Sequence, residues 1–322
     1  MSRLYTLTRS LCALCLALAV SLAVFSGPAR AADKVQVLLD WFVNPNHAPL
    51  VIAETRGLFE KYGLEVELVA PSDPSAPPRL IAAGQSDIAI SYQPQLHVQV
   101  SEGLPLARVG TLAETPLNSL VVLKDGPIKS IADLKGKKVG FSVGGFEDAL
   151  LAAMLKTEGL SLSDVELINI NFALSPSLIS GAVDGVIGAF RNFEMNQLDI
   201  EKRPGLAFYP EENAVPVYDE LIFVVKNDRL NDKRWVPFMR AVEEATLWLT
   251  NHPDEALVDF LKAYPDLDNE LNRRAWVDTL PRFAKRPSAL DSGRYERFAV
   301  FMKEAGLIKS IPPLESYAVE LK

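Results

Sequence analysis

Two hydrophobic periods alternate along this chain. VQVLLD, from Val35 to Asp40, reads as a buried strand, and HAPLVIAETRGLFEKYG reads as one helix stopped near Gly63. LEVELVA resumes strand alternation through Ala70, and the proline-rich PSDPSAPP makes a turn. RLIAAGQSDIAISY then supplies a short helix, a turn and the strand Ile88 to Ser91. The order is β-α-β-α-β, and apolar strands separated by helices predict a parallel sheet covered on both faces.

The same grammar starts again near Leu120. SLVVLKDGPIKSIADLKGKKVGFSV offers a strand, a short polar helix and a strand ending at Gly144-Gly145. A helix over 146–159, a strand over 165–171, another helix and the strand Gly185 to Phe190 follow. The repetition lies in topology and spacing, with weak identity, and it predicts two similar α/β lobes. After the strand in ELIFVVKNDRL the chain turns helical: WVPFMRAVEEATLWLTNHP, DEALVDFLKAY, NELNRRAWVDTLPRF and GRYERFAVFMKEAGL, the last capped by Asp291 or Ser292. The expected division is a first lobe from 32–117 and 218–322, with the helical tail returning to it, and a second lobe from 118–217. Connections near 112–120 and 210–220 would form a hinge beside a cleft.

Composition narrows the partners. The 322 residues are 48% apolar and 23% charged, enough for a large core, and 33 basic against 41 acidic side chains give a net charge of -8. That balance disfavours nucleic acid or an anionic membrane surface. Arg3 and Arg9 precede the apolar stretch Leu11 to Phe25, and Ala29-Arg30-Ala31 supplies small residues at a cleavage site, so residues 1–31 read as a secretory signal. The stretch is shorter than the roughly 20 residues of a spanning helix. Removing Arg3, Arg9 and Arg30 from the 33 basic residues leaves 30 against 41, a net -11. Cys12 and Cys15 both fall in the signal, so the mature chain has no thiol for a disulfide, a metal or a nucleophile. A soluble exported protein is expected, with no membrane insertion once the signal is removed.

LDWFVNPNHA concentrates polar and aromatic groups where a strand-to-helix turn needs few. Trp41 follows the first strand at the sheet's carboxyl edge, where open α/β folds hold ligands; it either stacks on a flat heterocycle or caps the core beside Phe42. Tyr92 and Gln93, just after the third strand, offer an opposing ring, a hydroxyl and an amide. Asn46 either caps the first helix or reaches a ligand, and His47 either donates to a ligand carbonyl or caps locally. Asp40 either touches the ligand or braces His47 or the indole N–H. Gly144 and Gly145 before a helix would let a ligand approach exposed amides, or merely make a tight turn, and they match no Walker or dinucleotide fingerprint. Tyr218 and Asp219 stand near the second crossover, to close the cleft or pack the hinge. His47, His97 and His252 are scattered, no HExxH or G-x-S-x-G occurs, and nothing aligns Asp40, His47 and Ser91 into a hydrolytic trio. No metal, cofactor or catalytic residue is expected.

LDWFVNPNHA, RGLFEKYGL, SDIAISYQP, ADLKGKKVGF and GAFRNFEMNQL, in that order, resemble the periplasmic substrate-binding proteins of ABC importers, over residues 35–310. Within them the sequence looks like the branch of thiamine-pyrimidine precursor binding proteins and the related fungal pyrimidine synthases. The resemblance implies a type II periplasmic binding protein fold, two α/β lobes around a ligand cleft with a helical C-terminal region. It implies capture of a small heteroaromatic ligand, formylaminopyrimidine or hydroxymethylpyrimidine foremost, for an ABC permease in the inner membrane. Riboflavin-like, sulfonate or other small aromatic ligands are the alternative, and an exported pyrimidine-processing enzyme a further one. The fungal synthases carry a cysteine-rich iron-binding segment and use pyridoxal phosphate, which a mature chain without cysteine does not match. The resemblance also makes Glu194, in AFRNFEMNQ, a partner for an aminopyrimidine edge, against the plainer role of a surface Glu beside Arg191. Arg191 stands where the family commonly has an aromatic, which suits a ligand with an acidic tail or an ion pair.

Overall fold

The computed structural model describes residues 32–321; the signal expected over 1–31, with Cys12 and Cys15, lies outside the described residues. The chain first builds β1 (Asp33–Leu38), α1 (Ala48–Thr55), α2 (Leu58–Lys61), β2 (Leu64–Val69), α3 (Pro77–Ala82), β3 (Ile88–Ser91), α4 (Gln93–Ser101) and β4 (Leu106–Ala113). Residues 114–117 lead to β5 (Asn118–Leu123), β6 (Lys138–Phe141), α5 (Glu147–Thr157), β7 (Glu166–Asn169), α6 (Leu174–Ser180), β8 (Gly185–Phe190), α7 (Glu194–Ile200) and β9 (Gly205–Phe208). The chain returns to β10 (Leu221–Lys226) and ends in α8 (Trp235–Asn251), α9 (Pro253–Ala263), α10 (Glu270–Thr279) and α11 (Ser292–Glu304).

Two five-stranded sheets result, β2-β1-β3-β10-β4 and β7-β6-β8-β5-β9. Both are mixed, not the expected parallel sheets: β1 with β3, and β6 with β7 and β8, are parallel, but β10 runs against β3 and β4, and β5 against β8 and β9. The reason is the crossover. β5 and β10 are the first strands after each passage between lobes, so each starts level with the carboxyl ends of its neighbours; Asn118 pairs with Phe190 and Ile222 with Ser91. Both ends of the crossovers thus lie at the sheet edge that faces the other lobe. β3 and β8 are buried at every position, as strands covered on both faces should be.

The helix expected over 47–63 is broken in two. Gly57 adopts φ 65, a left-handed conformation that ends α1 and restarts the chain as α2. α8 packs on α1 and α2, with Phe59 stacked on Phe238 at 5.5 Å. α10 does more: it touches the turn Pro45–His47 of the first lobe and α7 of the second, where Asn196 donates to Asp278 at 2.7 Å. Asp291 is the cap of α11, accepting from the Arg294 amide at 2.9 Å.

Candidate ligand-binding site

Between the lobes lies a cavity of about 380 Å3 including its mouth. Its first-lobe wall is the segment after β1, Asp40, Trp41, Asn44 and Asn46, with Tyr92 from the end of β3; its second-lobe wall is Glu147, Leu174, Gly188, Phe190, Phe193 and Glu194. Asn44 shapes the first wall. Its Oδ1 accepts from the Asn46 amide at 2.8 Å, capping the turn that Pro45 starts, and its own amide donates to His47 Nδ1 at 3.2 Å. That acceptor role puts the imidazole proton on Nε2, which donates to Asp40 Oδ1 at 2.9 Å. The Tyr92 hydroxyl donates to the other carboxylate oxygen of Asp40 at 3.0 Å. Burial, followed by the negative Asp40 and Glu147, holds the phenol well above its ordinary range, so it stays a donor.

The lobes meet through side chains, and the cleft is closed. Tyr92 stacks on Phe146 of the second lobe at 4.6 Å and 13°. Phe172 of the second lobe packs against Trp41 at 4.6 Å and Phe42 at 4.4 Å. Asn192, 2% exposed, donates to Asn46 Oδ1 and to Thr279 Oγ1, both at 2.7 Å. One carboxamide therefore joins the second lobe to the first lobe and to α10.

Two buried carboxyl groups face this space from the second lobe. Glu194, at the start of α7, accepts the Phe190 amide at 2.7 Å; burial raises it to about 7 against the lowering effect of that amide and its own. Glu147, at the start of α5, accepts the amides of Ser142 at 2.7 Å and Val143 at 3.1 Å, and burial raises it to about 8. No lysine, arginine or histidine is among the residues lining the cavity. The walls are thus aromatic and acidic, suited to a flat, neutral or cationic molecule with hydrogen-bond donors.

Of the residues picked out from sequence, Trp41, Asn46, Tyr92, Glu194 and Asp40 line the cavity. His47 is fully buried behind Asp40. Gln93 and Asp219 face one another away from it: the Asp219 amide donates to Gln93 Oε1 at 2.8 Å, and the Asp219 carboxylate accepts from Thr111 at 2.8 Å and from Arg294. Tyr218 is fully buried against Phe298 of α11 at 5.4 Å. Gly144 and Gly145 shape the loop before α5, Gly145 at φ 77, and do not line the space. Arg191 forms a bidentate pair with Glu211 at 2.5 and 2.9 Å and lies 4.0 Å over the Tyr209 ring, the ion-pair outcome of its two expected roles.

Asn44, Glu147, Leu174, Gly188, Phe190 and Phe193 also line the space and were not picked out. A glycine inside the strand GVIGAF was the available signal, because an isolated strand glycine marks a close approach. At Gly188, φ 101, a Cβ would overlap the Glu147 carboxyl group.

A family model described as NMT1/THI5 like matches residues 44–256. The chain belongs to the NMT1/THI5-like family. Family relatives include a Haemophilus influenzae protein named for thiamine biosynthesis, 54% identical over 92% of this chain and 94% of its own. A Halalkalibacterium halodurans protein named formylaminopyrimidine-binding protein is 34% identical over 71% of this chain and 70% of its own. A Schizosaccharomyces pombe relative, 28% identical over 76% of this chain and 73% of its own, is named 4-amino-5-hydroxymethyl-2-methylpyrimidine phosphate synthase. Among solved structures, the alkanesulfonate-binding protein of Xanthomonas axonopodis bound to MOPS superposes with a TM-score of 0.71 at 15% identity, covering 90% of this chain and all of that one. The fold of this NMT1/THI5-like chain is therefore that of the periplasmic binding proteins, as the motifs implied.

Proposed function

We propose that this protein captures a thiamine pyrimidine precursor, formylaminopyrimidine or hydroxymethylpyrimidine, between its lobes and delivers it to an ABC permease from the periplasm. The observation that carries the reading is the cavity wall: aromatic faces at Trp41, Tyr92 and Phe190 beside the carboxyl groups of Asp40, Glu147 and Glu194, with no cationic side chain. An aminopyrimidine offers a flat ring for the aromatic faces. Its ring nitrogen and neighbouring amino group form an acceptor–donor edge that a carboxyl group near its titration point, such as Glu194, matches with two hydrogen bonds.

The same wall argues against the alternatives. A sulfonate or a phosphate ester would find no lysine, arginine or histidine on the wall to balance its charge, so neither sulfonate transport nor synthesis of a pyrimidine phosphate suits this cavity. Lobes spanning 32–117 with 218–322, and 118–217, would swing about the crossovers, and the ligand would favour the closed form by its differential affinity. Among the described residues no helix is long and apolar enough to cross a membrane, which leaves the permease to supply the passage.

Calorimetry with formylaminopyrimidine, hydroxymethylpyrimidine, thiamine and an alkanesulfonate tests the reading. Tight binding of a pyrimidine and none of the sulfonate is expected; the reverse order rejects it. Mass spectrometry of the incubated ligand separates capture from catalysis, since capture returns the pyrimidine unchanged.

A further inference from the structure

Glu147 is not the group matched to the amino edge of the ligand, yet the second lobe is built around it. It is 3% exposed, and its Oε2 accepts both the Ser142 and the Val143 amide, an arrangement that leaves Oε1 for the cavity side. The carboxyl group lies against Gly188 of β8, where a Cβ would overlap Oε1, Cδ and Oε2 alike. Glu147 and Gly188 line the cavity together. A glycine thus occupies the one strand position at which any side chain would push this carboxyl group out of the space.

The groups facing Glu147 are acidic or neutral on every side. Asp148 adjoins it on α5, Glu220 approaches from the crossover, the Tyr92 hydroxyl and Asp40 stand on the first-lobe wall, and Glu194 on α7. Desolvation leads, and Glu220 and Asp148 add to it, over the opposing pull of the two amides; the group titrates at about 8. At neutral pH it carries a proton, and because Oε2 is occupied as an acceptor that proton sits on Oε1.

We infer that Glu147 donates a hydrogen bond from Oε1 to the bound ligand and selects molecules presenting an unprotonated acceptor, a ring nitrogen or carbonyl oxygen, at the β8 wall. The inference rests on the aminopyrimidine reading and adds a second determinant to it. Glu194 answers the amino edge, and Glu147 answers an acceptor elsewhere on the molecule. Glu147→Gln keeps this polarity, with its amide oxygen toward Ser142 and Val143 and its NH2 toward the cavity.

The test is calorimetry with formylaminopyrimidine from about pH 7 to about pH 9.5, on the wild type and on Glu147→Gln. The ratio of wild-type to Glu147→Gln affinity is expected to fall about tenfold per unit above about pH 8, as the donor is lost, whatever slope the two proteins share. Glu194 and Glu220, which titrate near 7, are common to both proteins, so the difference isolates Glu147. Parallel pH profiles overturn this inference alone; a wild type that binds no pyrimidine overturns the proposed function and this inference with it. Should Glu147→Gln not fold, carboxyl 13C titration of the wild type decides. Ligand binding should move the Glu147 titration to higher pH, and a move to lower pH overturns the inference.

Discussion

Replacing Asn192 by alanine tests closure without touching the cavity wall. The side chain holds two 2.7 Å hydrogen bonds, to Asn46 Oδ1 across the cleft and to Thr279 Oγ1 on α10, and it is not among the residues lining the cavity. Each such bond contributes about 1 kcal/mol net, and both acceptors stay buried when the donor is removed, so the closed form loses about 1–3 kcal/mol. An opened cleft exposes the same acceptors to water, and the open form loses little. If ligand binds the closed form, apparent affinity scales with its population and falls by about 5- to 150-fold. Calorimetry of wild type and variant with formylaminopyrimidine, alongside small-angle scattering of the ligand-free proteins, gives both quantities. Thr279→Val removes one of the two bonds and should show a smaller loss. An Asn192→Ala protein with unchanged thermal midpoint and unchanged affinity would refute the idea that this carboxamide latches the lobes.

Trp41→Ala should weaken pyrimidine binding by about 1–3 kcal/mol, the usual worth of an aromatic face under a base, while the urea midpoint stays near wild type; an equal affinity rejects the stacking role. Arg191→Met breaks the pair with Glu211, so stability should fall, but pyrimidine affinity should stay within about twofold because Arg191 does not line the cavity. A large affinity loss at unchanged stability would contradict that placement. Glu147, Glu194 and Glu220 all titrate above the ordinary 4.5 in the folded chain, because burial disfavours their charge. The folded state then holds protons that the unfolded state releases, so their contribution to stability is full below about pH 4.5 and lost as pH rises through about 7 to 8. Urea unfolding of the ligand-free protein should show lower stability at about pH 8 than at about pH 5; a rise contradicts the assignment.

Much of the architecture was legible because burial on both faces leaves a plain signature. IAI of β3 and GVIGAF of β8 are apolar without a break, and their spacing from the helices repeats in both lobes. Strand direction was not legible, since nothing in ELIFVVK states that β10 enters its sheet from the cleft side. α4, β4, α7 and β9 also escaped. α4 carries Gln93, Gln95, His97 and Gln99 around its circumference, all buried polar groups that read as surface until the hinge and α11 cover them. For the site, the aromatic and polar cluster after β1 advertised itself, because Trp41, Asn46 and His47 exceed what a turn requires. Glu147 did not, since a glutamate in the first turn of a helix is ordinary; only its approach to Gly188, 41 residues on, sets it apart. Tyr218 and Asp219 sit beside the second crossover in sequence and Gln93 meets them in space, but their side chains turn toward α4, β4 and α11.

A crystal structure of the protein grown with formylaminopyrimidine tests the account most directly. The ring should lie in the interlobe cavity, against Trp41, with its amino edge within hydrogen-bond distance of Glu194. A ring bound elsewhere, or a cavity holding an anion in place of a pyrimidine, would contradict it.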